Sequence, residues 1–200
     1  MKKKYLTTLN TRPFLFRETT LIARLLKEGF TKEEIKNKVI EENILQLSNK
    51  DRAARFYSEI IKRLAELDET LFEWFVTSDT HSAKAILLYA IVKKDQLFFE
   101  WMREVVLDKF LIMDNRITKK ETVYFLEAKK EQSAEVMNWS PNTIKRLMSA
   151  YHQVLFEAGM IEKNEEEYFL RHLILQPSIR NYLIEQKDRL VVEAVLGERI

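Results

Sequence analysis

Apolar residues recur at every third or fourth position along most of the chain, which is the spacing of one helix face. In the first half this pattern predicts helices over about residues 17–28, 31–40, 48–67, 68–76, 80–93 and 95–112. The segment AKAILLYAIV is apolar on every side and therefore predicts the buried central helix of a bundle. Ahead of the first helix, Thr11-Arg12-Pro13 disfavours helix and Phe14-Leu15-Phe16 requires burial, so we expect an extended arm that docks on the core.

The predicted helix over residues 48–67 separates apolar from basic side chains. Its apolar residues share one side, which we expect to face the core. The other side is predicted to expose four basic residues, Arg52, Arg55, Lys62 and Arg63. Exposed guanidinium and ammonium groups are common partners of phosphate, so this side is a candidate phosphate-binding surface.

A second series of elements begins after Met113-Asp114-Asn115-Arg116, where the density of apolar residues drops. Thr118 and Glu121 have the spacing of a capping box and predict the start of a helix that runs to about Ser133. We therefore divide the chain into an N-terminal helical bundle with an extended arm, residues 1–115, and a C-terminal domain, residues 116–200.

The clearest helix boundaries in this second half belong to the predicted helix over residues 141–158. Ser140 is a good N-cap, Pro141 suits the first helical position, and Gly159 suits a left-handed residue just past the end. The apolar residues between these boundaries fall on one face, which is expected to be core.

After this helix the apolar pattern changes from helical to alternating. It predicts two short strands, over about residues 160–163 and 168–175, before the chain returns to helix beyond Pro177. Two helices followed by a hairpin resemble a winged helix-turn-helix, with residues 141–158 as the recognition helix. The predicted fold class is mainly α, with an N-terminal helical bundle followed by a winged-helix-like part that contains one short β-hairpin.

The predicted recognition helix also has a polar face. That face is predicted to carry Asn142, Lys145, Arg146, Ser149, His152 and Gln153. These side chains can donate hydrogen bonds to phosphates and to base edges. Basic residues of the preceding helix could add backbone contacts, namely Lys119, Lys120, Lys129 and Lys130. A helix whose outer face is simply solvated shows the same pattern, so DNA contact and solvation both remain open.

Composition argues against several other classes of protein. The 200 residues include no cysteine, three glycines and three histidines, and they show no phosphate-binding glycine loop, nucleophile motif or metal-ligand spacing. We therefore expect no enzyme activity, no cofactor, no metal site and no small-molecule substrate. No apolar run is long enough to cross a bilayer and no signal peptide is recognisable, so we expect a cytoplasmic protein without a membrane partner.

Four stretches give a combination of motifs that spans most of the chain. They are RPFLFRETTLIARLLKEGFTKEEIKNKVIEENILQ, LLYAIVKKDQLFFEWMREVVLDKFL, WSPNTIKRLMSAYHQVLFEAGMI and LILQPSIRNYL. In this combination the chain resembles the BrxA family of the bacteriophage-exclusion (BREX) defence systems of bacteria. The resemblance implies a NusB-like N-terminal bundle, a winged-helix-like C-terminal part, and noncatalytic binding of double-stranded DNA alongside other BREX proteins.

Carried onto this chain, the family's DNA-binding helix corresponds to residues 141–158. The residues expected to contact a groove or phosphates are then Asn142, Lys145, Arg146 and Ser149. The acidic run Glu165, Glu166 and Glu167 at the tip of the predicted wing departs from this expectation, because phosphate would repel it. We expect the wing to point away from DNA or to contact a protein.

The leading hypothesis is therefore a noncatalytic DNA-binding accessory protein of a BREX system. The net charge is only +2, so any nucleic-acid site must be a local patch rather than a global positive field. A net charge close to zero also favours the alternative, a helical protein–protein adaptor that scaffolds larger defence subunits. RNA binding, by analogy with NusB, is a third hypothesis, and no aromatic strand motif supports it.

Overall fold

The computed structural model describes residues 4–164 and 167–200, and its first half is a bundle of helices. These helices are α1 (Phe16–Lys27), α2 (Lys32–Ile40), α3 (Lys50–Leu64), α4 (Glu69–Thr77), α5 (Thr80–Lys94), α6 (Gln96–Trp101) and α7 (Asp108–Leu111). Thr31 and Glu34 form a capping box at the start of α2, and the Asn49 side chain caps α3. A π-helical segment, Met102–Leu107, joins α6 to α7 without a break.

Helix α5 is the centre of the bundle, as its apolar sequence predicts. Every residue from Ala85 to Val92 is buried, and the helix packs against α3, α4 and α6 and against two helices of the second half, Pro141–Ala158 and Arg189–Leu196. Asp79 caps its N-terminus by accepting hydrogen bonds from the backbone N–H groups of His81 and Ser82. A helix buried on all sides needs apolar residues at every angular position, which explains why its sequence lacks an amphipathic period.

The second half contains further helices and a small sheet. Its elements are β1 (Arg116–Ile117), α8 (Lys119–Gln132), α9 (Ala134–Met137), α10 (Pro141–Ala158), β2 (Ile161–Asn164), β3 (Glu167–Leu170), α11 (Pro177–Ile184) and α12 (Arg189–Leu196). The fold is thus mainly helical with a small antiparallel sheet, which confirms the predicted class. The NusB-like and winged-helix comparisons stay predictions.

The sheet differs from the single hairpin that the sequence predicts. It has three strands in the order β1-β3-β2, with Ile117 paired to Tyr168 and Ile161 paired to Leu170. Strand β1 has only two residues, so it carries no alternating pattern that a sequence could reveal. Strand β3 ends at Leu170 rather than at residue 175, and the chain continues to α11 without further strand pairing.

One hydrophobic core runs through both halves of the chain. The Tyr151 ring of α10 lies 4.8 Å from the Phe98 ring and 5.1 Å from the Trp101 ring, measured between centroids. Both partners belong to α6, so the two halves pack on each other through large aromatic groups. The division of the chain near residue 115 stays a prediction about domain organisation.

The N-terminal arm, residues 4–15, docks on this core as expected, with Leu9, Phe14 and Leu15 buried. A buried arginine holds it there. Arg63 donates hydrogen bonds from Nη1 to the Phe14 carbonyl at 2.9 Å and from Nη2 to the Arg12 carbonyl at 2.5 Å. Its Nε donates to Glu59 Oε1 at 2.9 Å.

The predicted exposure of Arg63 is therefore wrong, because this side chain is fully buried. A buried guanidinium group is tolerated only when its donors find acceptors and its charge finds a counter-ion. The arm carbonyls and Glu59 meet both needs, and Lys94 lies 3.1 Å from the same carboxylate. Since the acceptors lie about fifty positions earlier in the chain, the spacing within α3 could not reveal them.

A second set of polar contacts ties the arm to the C-terminal half. The Tyr5 hydroxyl donates to Glu100 at 2.8 Å, and Lys129 of α8 lies 2.7 Å from the same carboxylate. Lys129 also pairs with Glu104 at 2.8 Å and is buried, so the expectation that it faces DNA is wrong. The turn at Thr8–Asn10 then packs against α10.

We expect Arg63→Ala to lower the free energy of unfolding by about 3–5 kcal/mol, because it leaves two arm carbonyls without donors. The neighbouring exposed Lys62 gives a matched control, and Lys62→Ala should cost less than about 0.5 kcal/mol. Urea unfolding followed by circular dichroism measures both. Equal effects of the two substitutions would contradict the role assigned to Arg63.

Candidate nucleic-acid interface

Helix α10 has the predicted boundaries because its two ends are locally encoded. The Ser140 hydroxyl accepts a hydrogen bond from the Thr143 backbone N–H at 3.1 Å, and Pro141 occupies the first turn. Gly159 has φ of 84°, a left-handed conformation that glycine adopts without strain. These signals set the helix at Pro141–Ala158 and so fix which side chains share its outer face.

The two faces of α10 separate nearly as the sequence predicts. The expected core residues are buried, namely Ile144, Leu147, Met148, Tyr151, Val154, Leu155 and Ala158. On the opposite side, the exposed residues are Asn142, Lys145, Arg146, Ser149 and Gln153. His152 is the exception, because only 3% of its surface is exposed.

The exposed side of α10 forms one wall of a groove whose other wall is the arm. From α10 the lining residues are Asn142, Lys145, Arg146, Ser149, Ala150 and Gln153, and from the arm they are Leu9, Asn10 and Pro13. We call this the arm groove. Its charged side chains, Lys145 and Arg146, both come from α10.

On its other flank α10 borders a second depression, the hairpin cleft, of about 270 Å³. It is lined by Lys119 of α8, by Ser149, His152, Gln153 and Phe156 of α10, and by Lys163 and Tyr168 of the hairpin. Ser149 and Gln153 line both depressions and form the ridge between them. Lys119 Nζ lies 5.8 Å from the centre of the Tyr168 ring.

The positive surface continues past Tyr168 to the start of α8. There Arg116, Lys119 and Lys120 surround a third depression with Glu167. Arg116 donates a hydrogen bond from Nη2 to Glu167 Oε1, so this acidic residue is already paired. The predicted acidic residues Glu165 and Glu166 lie outside the described residues.

Five exposed cations share this continuous surface, which we call the basic face: Lys119, Lys120, Lys145, Arg146 and Lys163. Among residues 4–164 and 167–200, none of the five forms an ion pair with a carboxylate. Nearby acids are engaged elsewhere: Glu121 pairs with Lys109 at 2.7 Å and Glu162 with Arg171 at 3.1 Å. Within the described residues the five cations of the basic face thus have no ion-pair partner, although the whole chain is nearly neutral.

The structure places the eight predicted site residues in two groups. Six of them lie on or beside the basic face, namely Asn142, Lys145, Arg146, Ser149, Lys119 and Lys120. Arg52 and Arg55 lie on the other side of the arm, beside Thr11 and Arg12. Sequence reasoning missed Lys163, although its place in a predicted strand next to the recognition helix could have suggested it.

Comparison with known proteins gives the family. A profile of the BrxA family matches residues 3–187. The chain belongs to the BrxA family. It is 34% identical over 194 residues, 97% of each chain, to a protein of Bacillus cereus (strain H3081.97) named BREX protein BrxA.

A more distant relative has the same name, and a solved structure has a similar fold. A BREX protein BrxA of Paramagnetospirillum magneticum (strain ATCC 700264 / AMB-1) is 24% identical over 89% of both chains. A crystal structure of an uncharacterized protein from Magnetospirillum magneticum is similar with a TM-score of 0.82 and 23% identity, covering 98% of this chain and 100% of that one. That similarity shows that the fold extends over nearly the whole chain.

This BrxA family member has neither a metal-ligand cluster nor a membrane-spanning helix among its described residues. Within the part of the chain that the structure describes, no group of three or more histidine or acidic side chains is placed to hold a metal ion. No helix among the same residues combines the length and the apolar character that crossing a membrane requires.

His152 forms the floor of the hairpin cleft rather than part of its charged rim. Its Nε2 lies 2.9 Å from the Thr122 hydroxyl, and its ring lies 5.0 Å from the Tyr168 ring centre. Burial and the charge of Lys119 lower the pKa of His152 from 6.5 to about 4. The imidazole is therefore neutral at pH 7 and supports the cleft without adding charge to it.

This lowered pKa predicts a loss of stability in acid. Because the unfolded His152 binds its proton near pH 6.5 and the folded one only near pH 4, stability is full above pH 6.5 and falls as the pH drops toward 4. Between pH 7 and pH 5 the loss from this group should be about 2 kcal/mol. Urea unfolding at both pH values measures it.

The substitution His152→Gln should remove this loss, and His81→Gln, at an exposed histidine, should keep it. Burial raises the pKa of Asp95, which acts in the opposite direction but equally in all three proteins. If wild type and His152→Gln lost the same stability between pH 7 and pH 5, the assignment would be wrong.

Proposed function

We propose that this protein is a noncatalytic accessory protein of a bacterial BREX phage-defence system and that it binds double-stranded DNA through its basic face. The observation that carries the proposal is the set of five exposed cations along the outer side of α10 and its neighbours, which have no carboxylate partner within residues 4–164 and 167–200. A surface with uncompensated positive charge attracts the phosphates of a duplex. Membership of the BrxA family supports the assignment to a BREX system.

The shape of the basic face favours contact with the DNA backbone. Ser149 and Gln153 form a low ridge with a depression on each side, and cations line both depressions. Lys145 and Arg146 on one side, and Lys119 and Lys163 on the other, are suited to phosphate contacts. Lys120 extends the row at the start of α8.

Few groups on this face are suited to reading bases. Asn142 in the first turn of α10 can pair with an adenine edge or with a phosphate, whereas the Ser149 hydroxyl already donates to the Lys145 carbonyl at 3.1 Å. With up to five phosphates neutralised, the slope of log K against log salt would be about −4.5. We therefore propose binding with little sequence preference.

The proposal gives the wing a limited role. Pairing with Arg116 reduces the repulsion that Glu167 would exert on a phosphate. We propose that DNA lies against α10 and the body of the hairpin, with other BREX proteins as partners elsewhere on the surface. The role needs no catalysis, cofactor or small-molecule substrate, and it places the protein in the cytoplasm with the DNA.

A protein–protein adaptor is the second candidate function, and a separate observation favours it. Leu111, Ile112 and Met113 are consecutive apolar residues, and Ile112 and Met113 are 72% and 88% exposed. They lie at the junction of the two halves, outside the lining of the arm groove and the hairpin cleft. Exposed apolar groups of this size are typical anchors for another protein.

We expect Lys145→Glu/Arg146→Glu to weaken binding of a fluorescent duplex by at least about 10-fold at low salt, because it replaces two phosphate contacts with repulsion. Fluorescence anisotropy at several salt concentrations measures the affinity and the salt slope. The control is Lys32→Glu/Lys36→Glu, which changes the charge by the same amount on α2. Because the main contacts of α2 are with α1 and α3, this variant should retain most of the duplex affinity.

Two results would contradict the DNA proposal. Equal affinity of wild type and the Lys145→Glu/Arg146→Glu variant would remove α10 from the interface. No binding by wild type at low salt would reject DNA binding by the protein alone and favour the adaptor.

The adaptor candidate makes a different prediction. Ile112→Ser/Met113→Ser should reduce co-purification with tagged BREX proteins and leave duplex affinity unchanged, since both side chains are exposed and uncharged. Unchanged recovery of every BREX protein by this variant would contradict a docking role for the junction.

A further inference from the structure

A separate small pocket lies where the arm crosses the start of α3. It has a volume of about 100 Å³ and is lined by Thr11 and Arg12 of the arm and by Arg52, Arg55 and Phe56 of α3. We call it the arginine pocket. The arm separates it from α10, because Leu9, Asn10 and Pro13 line the arm groove while Thr11 and Arg12 line this pocket.

The three arginines are held in place by contacts of their own. The Arg52 backbone N–H donates to the Asn49 side chain at 2.8 Å, and the Arg52 guanidinium lies 5.1 Å from the Phe56 ring centre. Arg55 Nε donates to the Asp51 carbonyl at 3.3 Å. The carbonyl of Arg12 is fixed by Arg63 at 2.5 Å, which sets the position of the arm beside α3.

The positive charges of this pocket have no acidic partner among the residues that the structure describes. In the described part of the chain no carboxylate lies within ion-pair distance, 4.0 Å, of Arg12, Arg52 or Arg55. Arg12 Nε is buried and has no acceptor among the same residues. Buried N–H donors are almost always satisfied, so an unpaired one in a pocket also lined by Arg52 and Arg55 is suited to an anionic acceptor.

The contrast with Arg63 strengthens this argument. Arg63 is fully buried, and Glu59 and two arm carbonyls satisfy it within the protein. The arginine pocket has the same residue type without internal acceptors for Arg12 Nε or a counter-ion for any of the three. The exposed guanidinium groups of Arg52 and Arg55 and the Nε–H group of Arg12 are therefore available to an external anion.

We propose that the arginine pocket binds a single phosphate group. Guanidinium groups present forked donors that match the oxygens of a phosphate, and the Thr11 hydroxyl adds a further donor. The volume suits one phosphate group rather than a whole nucleotide. The group comes either from the backbone of a duplex or from a free phosphate, and the site is independent of DNA binding by α10.

The first experiment measures the response to inorganic phosphate at constant ionic strength, with chloride as the reference salt. Phosphate should raise the melting temperature and broaden the ³¹P resonance in wild type, and Arg52→Gln/Arg55→Gln should lose both effects. Because phosphate also stabilises proteins without binding a site, the difference between wild type and variant is the quantity that counts. Lys32→Gln/Lys36→Gln removes the same charge from α2 and should respond like wild type.

Arg12→Gln gives a second, independent variant, since it removes the unpaired donor and leaves the carbonyl that Arg63 binds. It too should lose the phosphate response. The proposal is overturned if wild type responds to phosphate and chloride alike, or if Arg52→Gln/Arg55→Gln keeps the full response.

The second experiment identifies the source of the phosphate group by anisotropy with a labelled duplex. A backbone phosphate predicts that Arg52→Gln/Arg55→Gln weakens duplex binding and makes the salt slope shallower by about 1–2. If the pocket instead binds a free phosphate, Arg52→Gln/Arg55→Gln should keep its duplex affinity and still lose the response to inorganic phosphate. Either result supports the pocket.

Lys145→Glu/Arg146→Glu should keep the phosphate response whatever its affinity for the duplex. Loss of that response in this variant, with its retention in Arg52→Gln/Arg55→Gln, would place the anion on α10 and overturn the pocket. Phosphate binding by the arginine pocket and DNA binding by α10 can therefore be rejected independently of each other.

Discussion

The buried guanidinium of Arg63 is the interaction on which both candidate sites depend. It joins α3 to the arm through the carbonyls of Arg12 and Phe14, and Glu59 neutralises it. The docked arm then forms one wall of the arm groove and contributes two residues to the arginine pocket. Because a buried arginine tolerates few other arrangements, the arm has a defined position and the cations beside it have a defined environment.

The cations discussed above fall into two groups, according to whether they form ion pairs with carboxylates. Arg63 and Lys129 are buried and paired with carboxylates, and they support the fold. The five cations of the basic face are exposed and lack such pairs among the described residues. A net charge of +2 hides this division, since paired charges cancel locally and unpaired ones do not. The distribution of charge is thus a better guide to function than its total.

Local signals in the sequence predict the ends of helices, whereas long-range contacts determine which polar side chains are buried. The ends of α10 follow from Ser140, Pro141 and Gly159, which lie in or beside the helix. The burial of Arg63 depends on carbonyls about fifty positions away, and that of His152 on a pocket completed by Thr122, thirty positions away. The arm groove combines two separate segments and the hairpin cleft combines three, so no single stretch could predict either one.

The most direct test of the account is a map of backbone amide chemical shifts with and without a short duplex, recorded on the isotopically labelled protein. The account predicts that the largest changes fall at residues 141–153, 116–120 and 161–164, with smaller ones along the arm. Changes confined to residues 111–113, or none at a duplex concentration well above that of the protein, would contradict DNA binding by the basic face.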